Sequence, residues 1–346
     1  MINFCTLFDS NYLTRGVALY ESLERVCPSF HLYVVTFDDR SYDYLVKAKP
    51  PHLTPISLSQ FEDKELLQVK ASRSAAEYCW TCTPSVILYC LDSFGLDSCT
   101  YIDADMIFYS NPKVLLDEMA GNSILLTEHR YTKEYDQPNG IYCVQFLCFK
   151  NDERGRKALT WWRERCIEWC YARLEDGKFG DQKYLDDWLD RFQGVHILEH
   201  LGGGVAPWNV QQYSIIKTHP PLMKEMKSGK EFPLVFFHYH GLKFFTNNVV
   251  SCSGSMYQLS DEVKNHFYFP YIETLQRIEK KLLDEGIPYR TNGARSNSPG
   301  KWTTFLQFIK ERLVLLKIGN ISILQLRFLS FGKHYHYYRL ENLTKE

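Results

Sequence analysis

Two aspartates at the end of an apolar run are the residues of this sequence best suited to hold a metal ion. Asp103 and Asp105 follow Tyr101 and Ile102 in a segment, Cys99–Tyr109, that we predict to be a β-strand. Because side chains alternate between the faces of a strand, residues two apart point to the same side. Like charges this close are unfavourable without a cation between them. Carboxylates suit Mg²⁺ or Mn²⁺; the alternative is a solvated pair of acids in a turn.

A second group of polar residues follows the apolar stretch that begins at residue 233. His238, Gly241 and Lys243 stand close together there. Histidine can complete a metal shell, glycine lets backbone N–H groups approach a phosphate, and lysine can neutralise one. The alternative is the polar end of a strand, with a structural histidine and a surface lysine.

A third pair, Asp181 and Gln182, is predicted in the first turn of a helix. An acid at this position suits the helix dipole, so helix capping is one interpretation. The functional interpretation directs both side chains at a ligand rich in hydroxyl groups.

Apolar strands alternate with amphipathic helices over the first 240 residues. Strands are predicted at 2–8, 31–37, 99–109, 123–128, 141–149, 195–199 and 234–238, and helices at 75–91 and 154–174. This alternation predicts an α/β fold with a mostly parallel sheet and helices on both faces. Ligands of such sheets bind at the carboxyl ends of the strands. Because proline disfavours a helix interior, Pro84 leaves the start of the helix at 75–91 open.

The composition divides the chain into three parts. Residues 1–245 form the α/β part, and residues 246–300 carry a helix at 271–285 followed by a linker at 289–300. Residues 301–346 are basic and apolar, with a net charge of +6 over 301–339. Such a segment is typical of amphipathic helices on an anionic membrane, and the alternative is a helix packed on the domain.

The overall charge and the cysteines indicate which partners and which cellular compartment to expect. The net charge of the 346 residues is −1, which argues against nucleic acid as a partner. Eleven cysteines, an odd number, are typical of buried thiols in a reducing compartment. The first residues are predicted to be a strand rather than a targeting segment. We therefore expect a cytoplasmic protein, with the basic segment as a route to the inner face of the membrane.

In their order along the chain, these segments resemble the retaining, metal-dependent glycosyltransferases of family 8, which includes glycogenin and bacterial galactosyltransferases. The similar segments are Thr6-Leu7-Phe8-Asp9-Ser10-Asn11-Tyr12, Tyr101-Ile102-Asp103-Ala104-Asp105, Gly180-Asp181-Gln182 and His238-Tyr239-His240-Gly241-Leu242-Lys243, the last of which is one residue shorter than its counterpart. A group of bacterial nucleotide-diphospho-sugar transferases is more similar still, through Trp80-Thr81-Cys82-Thr83-Pro84, 181–188, Ala206-Pro207-Trp208-Asn209 and 238–241. The resemblance spans roughly residues 1–245.

The resemblance implies a GT-A fold and the transfer of a sugar from a nucleoside diphosphate sugar, UDP being favoured, to a hydroxyl of a glycan or a lipid-linked acceptor, with retention. It implies Mn²⁺ or Mg²⁺ on Asp103, Asp105 and His238, with His240 as the second candidate for the histidine. It also implies a donor site built from Thr6, Asp9, Tyr12 (stacked on the base), Asp103, Gly241 and Lys243, with Asp181 on the sugar hydroxyls and Gln182 beneath the anomeric carbon.

Two motifs of the family have more than one candidate in this sequence. The family's basic residue on the helix before the metal motif falls near Val86, so Arg73 or Lys70 would substitute for it, and Arg73 is the candidate for the donor site. The Asn-x-Gly motif corresponds to Asn139-Gly140 or to Cys143-Val144-Gln145. For the acceptor, Gly202-Gly203-Gly204 and Trp208-Asn209 are either a flexible rim or a turn with a core tryptophan.

Two other functions compete with glycosyl transfer. A sugar nucleotidyltransferase shares the sheet and the metal carboxylates, but it usually carries a glycine-rich loop where this chain has Asp9-Ser10-Asn11-Tyr12. A non-catalytic glycan-binding protein would not need the complete metal set. Both sequence features favour the transferase.

Overall fold

The structure is a computed structural model that describes residues 1–132, 135, 139–253, 257–299 and 337–343. The strands are β1 Ile2–Phe8, β2 Phe30–Thr36, β3 Leu53–Ser57, β4 Ser98–Ile102, β5 Met106–Phe108, β6 Ile124–Glu128, β7 Tyr142–Lys150, β8 Val195–Ile197, β9 Tyr213–Thr218, β10 Pro221–Glu225, β11 Glu231–Pro233, β12 Phe236–His238, β13 Lys243–Phe245, β14 Val249–Ser251 and β15 Tyr337–Arg339. The helices are α1 Leu13–Val26, α2 Asp39–Ala48, α3 Leu58–Phe61, α4 Lys64–Lys70, α5 Ala75–Ser93, α6 Lys113–Asp117, α7 Glu153–Glu168, α8 Trp188–Arg191, α9 Asp261–Val263 and α10 Phe269–Asp284.

A seven-stranded sheet in the order β3-β2-β1-β4-β7-β6-β8 forms the centre of the fold. All of its neighbouring strands run parallel except β7, which is antiparallel to both β4 and β6. The predicted α/β architecture, a mostly parallel sheet flanked by helices with a helical C-terminal extension, is therefore confirmed. Because β7 runs antiparallel to β4, the first residues of β7 lie beside the carboxyl end of β4, where the two aspartates are.

Helices cover both faces of this sheet. The core on one face contains Leu19 and Leu23 of α1 together with Ile272 and Leu275 of α10. The core on the other face includes α5 and α7, with Trp162 completely buried. Apolar residues at helical spacing on α1 and α10 produce these buried stripes, and burial of such side chains is the main stabilising term of the fold.

The predicted strand over Cys99–Tyr109 is wrong in one respect, because it is two strands. The chain leaves the central sheet after Ile102, turns over residues 103–105, and continues as β5, which pairs with β12 in a separate ribbon. Strand alternation therefore does not explain the orientation of the two aspartates. Their position in a turn between two anchored strands explains it instead.

Helix boundaries also differ from the sequence expectations at two places. Helix α5 passes through Pro84. Its start is capped by a reciprocal pair: the side chain of Ser74 accepts the backbone N–H of Glu77, and the side chain of Glu77 accepts the backbone N–H of Ser74. This reciprocal cap provides partners for N–H groups that a helix start leaves free. The helix predicted over 154–174 ends at Glu168, after which the chain turns towards Asp181.

The antiparallel ribbons β9-β10-β11 and β13-β14-β15 were not expected from the sequence. Tyr337, Tyr338 and Arg339 form β15 and pair with β14, so this short part of the basic C-terminal segment lies against the domain. The remainder of the predicted amphipathic segment, residues 301–336 and 344–346, lies outside the described residues. Among the helices that the structure describes, none is long and apolar enough to cross a membrane.

The predicted linker at 289–300 packs against the α/β part of the chain. Thr291 and Asn292 are buried. The carbonyl of Thr291 accepts the hydroxyl of Thr14 at 2.9 Å, and the carbonyl of Asn292 accepts the guanidinium of Arg15 at 2.9 Å. The polar groups of this segment are therefore partly used in hydrogen bonds to α1.

Candidate active site

Asp103, Asp105 and His238 form one cluster at the carboxyl end of β4. Each offers a ligand atom, and these atoms all lie within 4.8 Å of one another. The Nε2 atom of His238 is 3.1 Å from Oδ1 of Asp105 and 3.7 Å from Oδ2 of Asp103. The histidine is buried while the aspartates are partly exposed. Two carboxylates and an imidazole are a donor set that fits Mn²⁺ or Mg²⁺, so the residues present suit the implied ion.

Strand pairing brings His238 to the aspartates from more than 130 positions away in the chain. In the β5–β12 ribbon, His238 pairs with Met106, the residue after Asp105. The next residue, Tyr239, donates its backbone N–H to the carbonyl of Asp105 at 2.9 Å. The register of this ribbon therefore determines the geometry of the cluster.

The pKa values of the two aspartates are shifted in opposite directions by burial and by the charges around them. Burial raises the pKa of Asp103 to about 6, with attraction by His238 opposing the rise and repulsion by Asp105 adding to it. Burial also disfavours the charged form of Asp105, but the charge and hydrogen bond of His238 outweigh it and hold the pKa of Asp105 below its usual range. A divalent cation among these groups would relieve the repulsion between the two acids.

A tight turn follows His238 and carries the other residues of this motif. Leu242 donates its N–H to the carbonyl of Tyr239 at 3.1 Å, and Gly241 at the third position of this turn has φ +80°. Glycine adopts this conformation without steric cost. Lys243 is exposed directly after the turn. The ring of His240 is 5.6 Å from that of His238, but His240 is not part of the cluster of potential ligands.

The beginning of the chain forms the neighbouring wall. Asp9 accepts the backbone N–H of Asn11 at 3.0 Å, and Thr6 is buried in β1 with its hydroxyl unpaired among the described residues. Tyr12 is 40% exposed, and the guanidinium of Arg15 lies 4.4 Å from the centre of its ring. An exposed aromatic ring with a cation behind it is suited to stacking against a planar ligand.

Arg15 was not identified from the sequence, although it links three parts of this region. Its guanidinium is buried and donates to the carbonyls of Leu242 at 3.0 Å and Asn292 at 2.9 Å. Its positive charge also reaches Asp105, whose pKa it lowers. An arginine on the buried stripe of α1 was the available signal, since arginine is rarely buried without partners.

Neither of the two basic residues proposed from the sequence contacts the aspartates. Arg73 lies 4.0 Å from the centre of the Tyr171 ring and donates to the carbonyl of Ile167 at 3.1 Å. Lys70 pairs with Glu62 at 2.6 Å. Arg15, rather than either of these two residues, lies close enough to Asp105 to lower its pKa.

Asp181 and Gln182 lie at the start of a short 3₁₀ turn rather than in an α-helix. Burial raises the pKa of Asp181 to about 7, and the negative charge of Asp103 adds to the rise, which means that the two acids interact. Gln182 donates its side-chain N–H to the carbonyl of Asn139 at 3.2 Å. Of the two candidates for the Asn-x-Gly motif, Asn139-Gly140 therefore lies beside Gln182.

The other candidate for that motif ends at Gln145, which contacts the cluster itself. Its backbone carbonyl accepts the N–H of Asp103 at 3.1 Å, and its side-chain oxygen Oε1 lies 2.6 Å from Nδ1 of His238. The residue is completely buried in β7. A glutamine within an otherwise apolar strand was the sequence signal, because an amide is buried only where it finds partners.

The residues considered as a flexible acceptor rim are tightly packed against the rest of the domain. A Cβ on Gly202 would lie 2.0 Å from the carbonyl oxygen of Pro233, and Trp208 is 3% exposed. The Trp208 ring lies 5.4 Å from that of His238 and donates its N–H to the carbonyl of His129 at 2.9 Å. The interpretation as a turn with a core tryptophan is therefore confirmed.

A second group of possible ligands is a cluster of thiols in the core. Cys5, Cys90 and Cys99 lie within 4.8 Å of one another and are completely buried between β1, β4 and α5. Burial raises the pKa of Cys5 and Cys99, whereas at Cys90 the hydrogen bonds with these two thiols outweigh burial and lower the pKa to about 6. These residues act as small apolar side chains in the core.

Comparison with known proteins places the chain among bacterial relatives. No family model matches the chain. Its likeness to galactosyltransferase LgtC, solved with donor and acceptor sugar analogs, has a TM-score of 0.49 at 13% identity and covers 80% of this chain and 96% of LgtC. "Uncharacterized protein YfnD" of Bacillus subtilis (strain 168) is 29% identical over 80% of this chain and 89% of YfnD. "Uncharacterized protein YfnF" of the same organism is 31% identical over 311 residues, which cover 86% of this chain and 99% of YfnF. The chain therefore belongs to the same protein family as YfnF.

Proposed function

We propose that this protein is a metal-dependent glycosyltransferase that moves a sugar from a nucleoside diphosphate sugar to a hydroxyl of a glycan or a lipid-linked acceptor. The observation that carries the proposal is the cluster of Asp103, Asp105 and His238 at the carboxyl end of β4. The order of the surrounding motifs along the chain, and their resemblance to family 8, supports the same conclusion. UDP is the proposed nucleotide on the basis of that resemblance alone.

Asp103, Asp105 and His238 would hold Mn²⁺ or Mg²⁺, which supplies positive charge for a diphosphate leaving group. Gly241 leaves room for the diphosphate because it carries no side chain, and exposed Lys243 adds a cation beside it. This concentration of positive charge is needed because the leaving group gains negative charge as the bond breaks.

The donor nucleoside would lie against the wall formed by the beginning of the chain. Tyr12 presents its exposed ring to the base, and Arg15 behind it restrains the ring. Asp9, whose negative charge reaches Tyr12, supplies a polar group beside this ring, and the buried hydroxyl of Thr6 in β1 is a further polar group of the same segment. In this arrangement, the base stacks while the diphosphate extends towards the turn at Gly241.

Asp181 and Gln182 are proposed to contact the transferred sugar. The Asp181 carboxyl is close enough to Asp103 for their charges to interact, which supports a position beside the sugar that the diphosphate carries. Gln182 is held by the carbonyl of Asn139, which limits the orientations of its amide. The bond from the anomeric carbon to the phosphate oxygen breaks while the bond to the acceptor oxygen forms. The acceptor proton passes to the leaving diphosphate, and we propose retention of configuration by the family resemblance.

The direct test is release of a nucleoside diphosphate from a panel of nucleotide sugars with Mn²⁺. We expect slow release without acceptor and loss of release with EDTA. Asp105→Asn should abolish Mn²⁺-dependent release at saturating metal, because it removes one charged ligand of the cluster. Asp190→Asn, an exposed acid on α8, is the matched control.

Other outcomes of this test identify the competing functions. A sugar nucleotidyltransferase would release pyrophosphate from a nucleoside triphosphate and a sugar phosphate. A glycan-binding protein would release nothing from either substrate. Wild-type turnover by Asp105→Asn would remove this aspartate from the metal site and contradict the proposal.

We propose, as an extension, that residues 301–346 hold the protein at an anionic membrane surface. The support is the sequence alone, a net charge of +6 over 301–339 interleaved with apolar residues. Co-sedimentation with anionic vesicles should fall when residues 301–336 are deleted. Equal recovery of both forms in the supernatant would remove this part of the proposal.

A further inference from the structure

We propose that Gln145 is a positioning residue that determines which nitrogen of His238 is free to bind the metal. The inference rests on the metal-dependent function proposed above and concerns a residue outside the metal ligands. Its basis is that one buried side chain contacts the ring nitrogen on the far side from the aspartates. The ligand class is the divalent cation of that site.

The two nitrogens of His238 face different partners. Nε2 points towards Asp105 and Asp103, at 3.1 Å and 3.7 Å, whereas Nδ1 lies 2.6 Å from Oε1 of Gln145. A neutral imidazole carries one proton, and a metal can bind only the nitrogen that lacks it. With Nδ1–H donating to the amide oxygen of Gln145, the proton that His238 gives up when a cation binds is the one on Nε2, and the lone pair that this frees faces the aspartates. Gln145 therefore selects the tautomer that a metal at Asp103 and Asp105 requires.

The same residue also holds the other half of the cluster. Its backbone carbonyl accepts the N–H of Asp103 at 3.1 Å. Because β7 is antiparallel to β4, residue 145 stands beside the end of β4 and can contact Asp103 and His238 simultaneously. One position in the central sheet thus sets the separation between ligands that come from distant parts of the chain.

The cost of burying this side chain supports a role in the site. Gln145 is 0% exposed, and its Nε2 group has no hydrogen-bond partner among the described residues. A buried donor without a partner destabilises the folded protein, because the group gives up its hydrogen bonds to water and gains none. An apolar residue would avoid this cost in a strand whose neighbours are apolar. The contact with His238 is what an apolar residue cannot provide.

The test is the affinity of the purified full-length protein for Mn²⁺, followed by the electron paramagnetic resonance signal of the free ion. Gln145→Met keeps the length of the side chain but removes the acceptor, and we expect Mn²⁺ binding to weaken by about 10–100-fold. Gln145→Glu restores an acceptor for Nδ1–H and should bind Mn²⁺ at least as tightly as the wild type. Thr127→Val is the matched control, because it removes a buried hydrogen bond to the carbonyl of Phe146 without touching His238.

Each result separates the inference from the function on which it rests. Mn²⁺ affinity within about twofold of wild type for a folded Gln145→Met would overturn the inference and leave the metal site intact. If Thr127→Val weakens Mn²⁺ binding as much as Gln145→Met does, the effect of Gln145 is one of packing, and the inference is overturned as well. A wild type that binds no Mn²⁺ would overturn both the metal-dependent function and the inference.

A second measurement reads the protonation of His238 in the wild type directly. In protein labelled with ¹⁵N-histidine and saturated with diamagnetic Mg²⁺, the ¹⁵N shifts of His238 should report a protonated Nδ1 and an unprotonated Nε2. His238→Gln identifies the signal among the eleven histidines. An unprotonated Nδ1 in the Mg²⁺ complex would overturn the inference.

Discussion

The buried carboxyl of Asp181 makes the stability of this protein depend on pH in a direction opposite to that of most aspartates. The side chain is 5% exposed, and burial, reinforced by the charge of Asp103, raises its pKa from the ordinary 3.8 to about 7. Hydrogen bonds from Thr83 and from the N–H of Gln182 act in the opposite direction but do not cancel the rise.

The direction of this pH dependence follows from the numbers of protons bound by the folded and the unfolded protein. Between about pH 4 and about pH 7, the folded protein keeps the proton of Asp181 while the unfolded chain has lost it, so the free energy of unfolding decreases as pH rises. A rise in the pKa of Asp181 from 3.8 to about 7 corresponds to a decrease of at most about 4 kcal/mol in the free energy of unfolding. This destabilisation is absent below about pH 4 and complete above about pH 7.

Asp181→Asn should remove this dependence, because the amide does not titrate and still offers an oxygen to the N–H of Gln182. We expect the free energy of unfolding of the variant, measured in urea with EDTA, to exceed that of the wild type by an amount that grows by up to about 4 kcal/mol between about pH 4 and about pH 8. Asp190→Asn controls for the loss of one negative charge. A difference between Asp181→Asn and wild type that stays constant over this pH range would refute the reasoning.

Three further changes test other parts of the site. Gln182→Ala should slow sugar transfer with little loss of nucleotide binding; an unchanged turnover rate would exclude its proposed position beneath the anomeric carbon. Arg15→Met should lower the free energy of unfolding by about 2–5 kcal/mol, because the buried carbonyls of Leu242 and Asn292 lose their donor; exposed Arg25→Met is the control, and equal urea midpoints for the two variants would contradict this. Gly241→Ala should cost about 1–2 kcal/mol, because its φ of +80° is unfavourable for a residue with a Cβ, and wild-type stability would exclude strain at this turn.

Local patterns in the sequence predicted the central architecture and the two aspartates. The apolar runs of β1 and β2 and the helix α10 appear in the structure close to their predicted bounds. Asp103 and Asp105 were identifiable because paired acids directly after an apolar strand are costly without a cation. These features depend only on residues that are close together in the chain, so the sequence alone could predict them.

Contacts between distant segments were decided only by the tertiary structure. The register of the β5–β12 ribbon brings His238 to the aspartates, and the reversed direction of β7 brings Gln145 to His238. The polar composition of residues 291–292 predicted a linker and gave no sign that their carbonyls accept hydrogen bonds from α1. Local propensity encodes the period of burial along one element, whereas sheet order and register depend on how whole elements pack. The sequence by itself therefore determined which residues could do chemistry, and the packing of the sheet determined which of them meet.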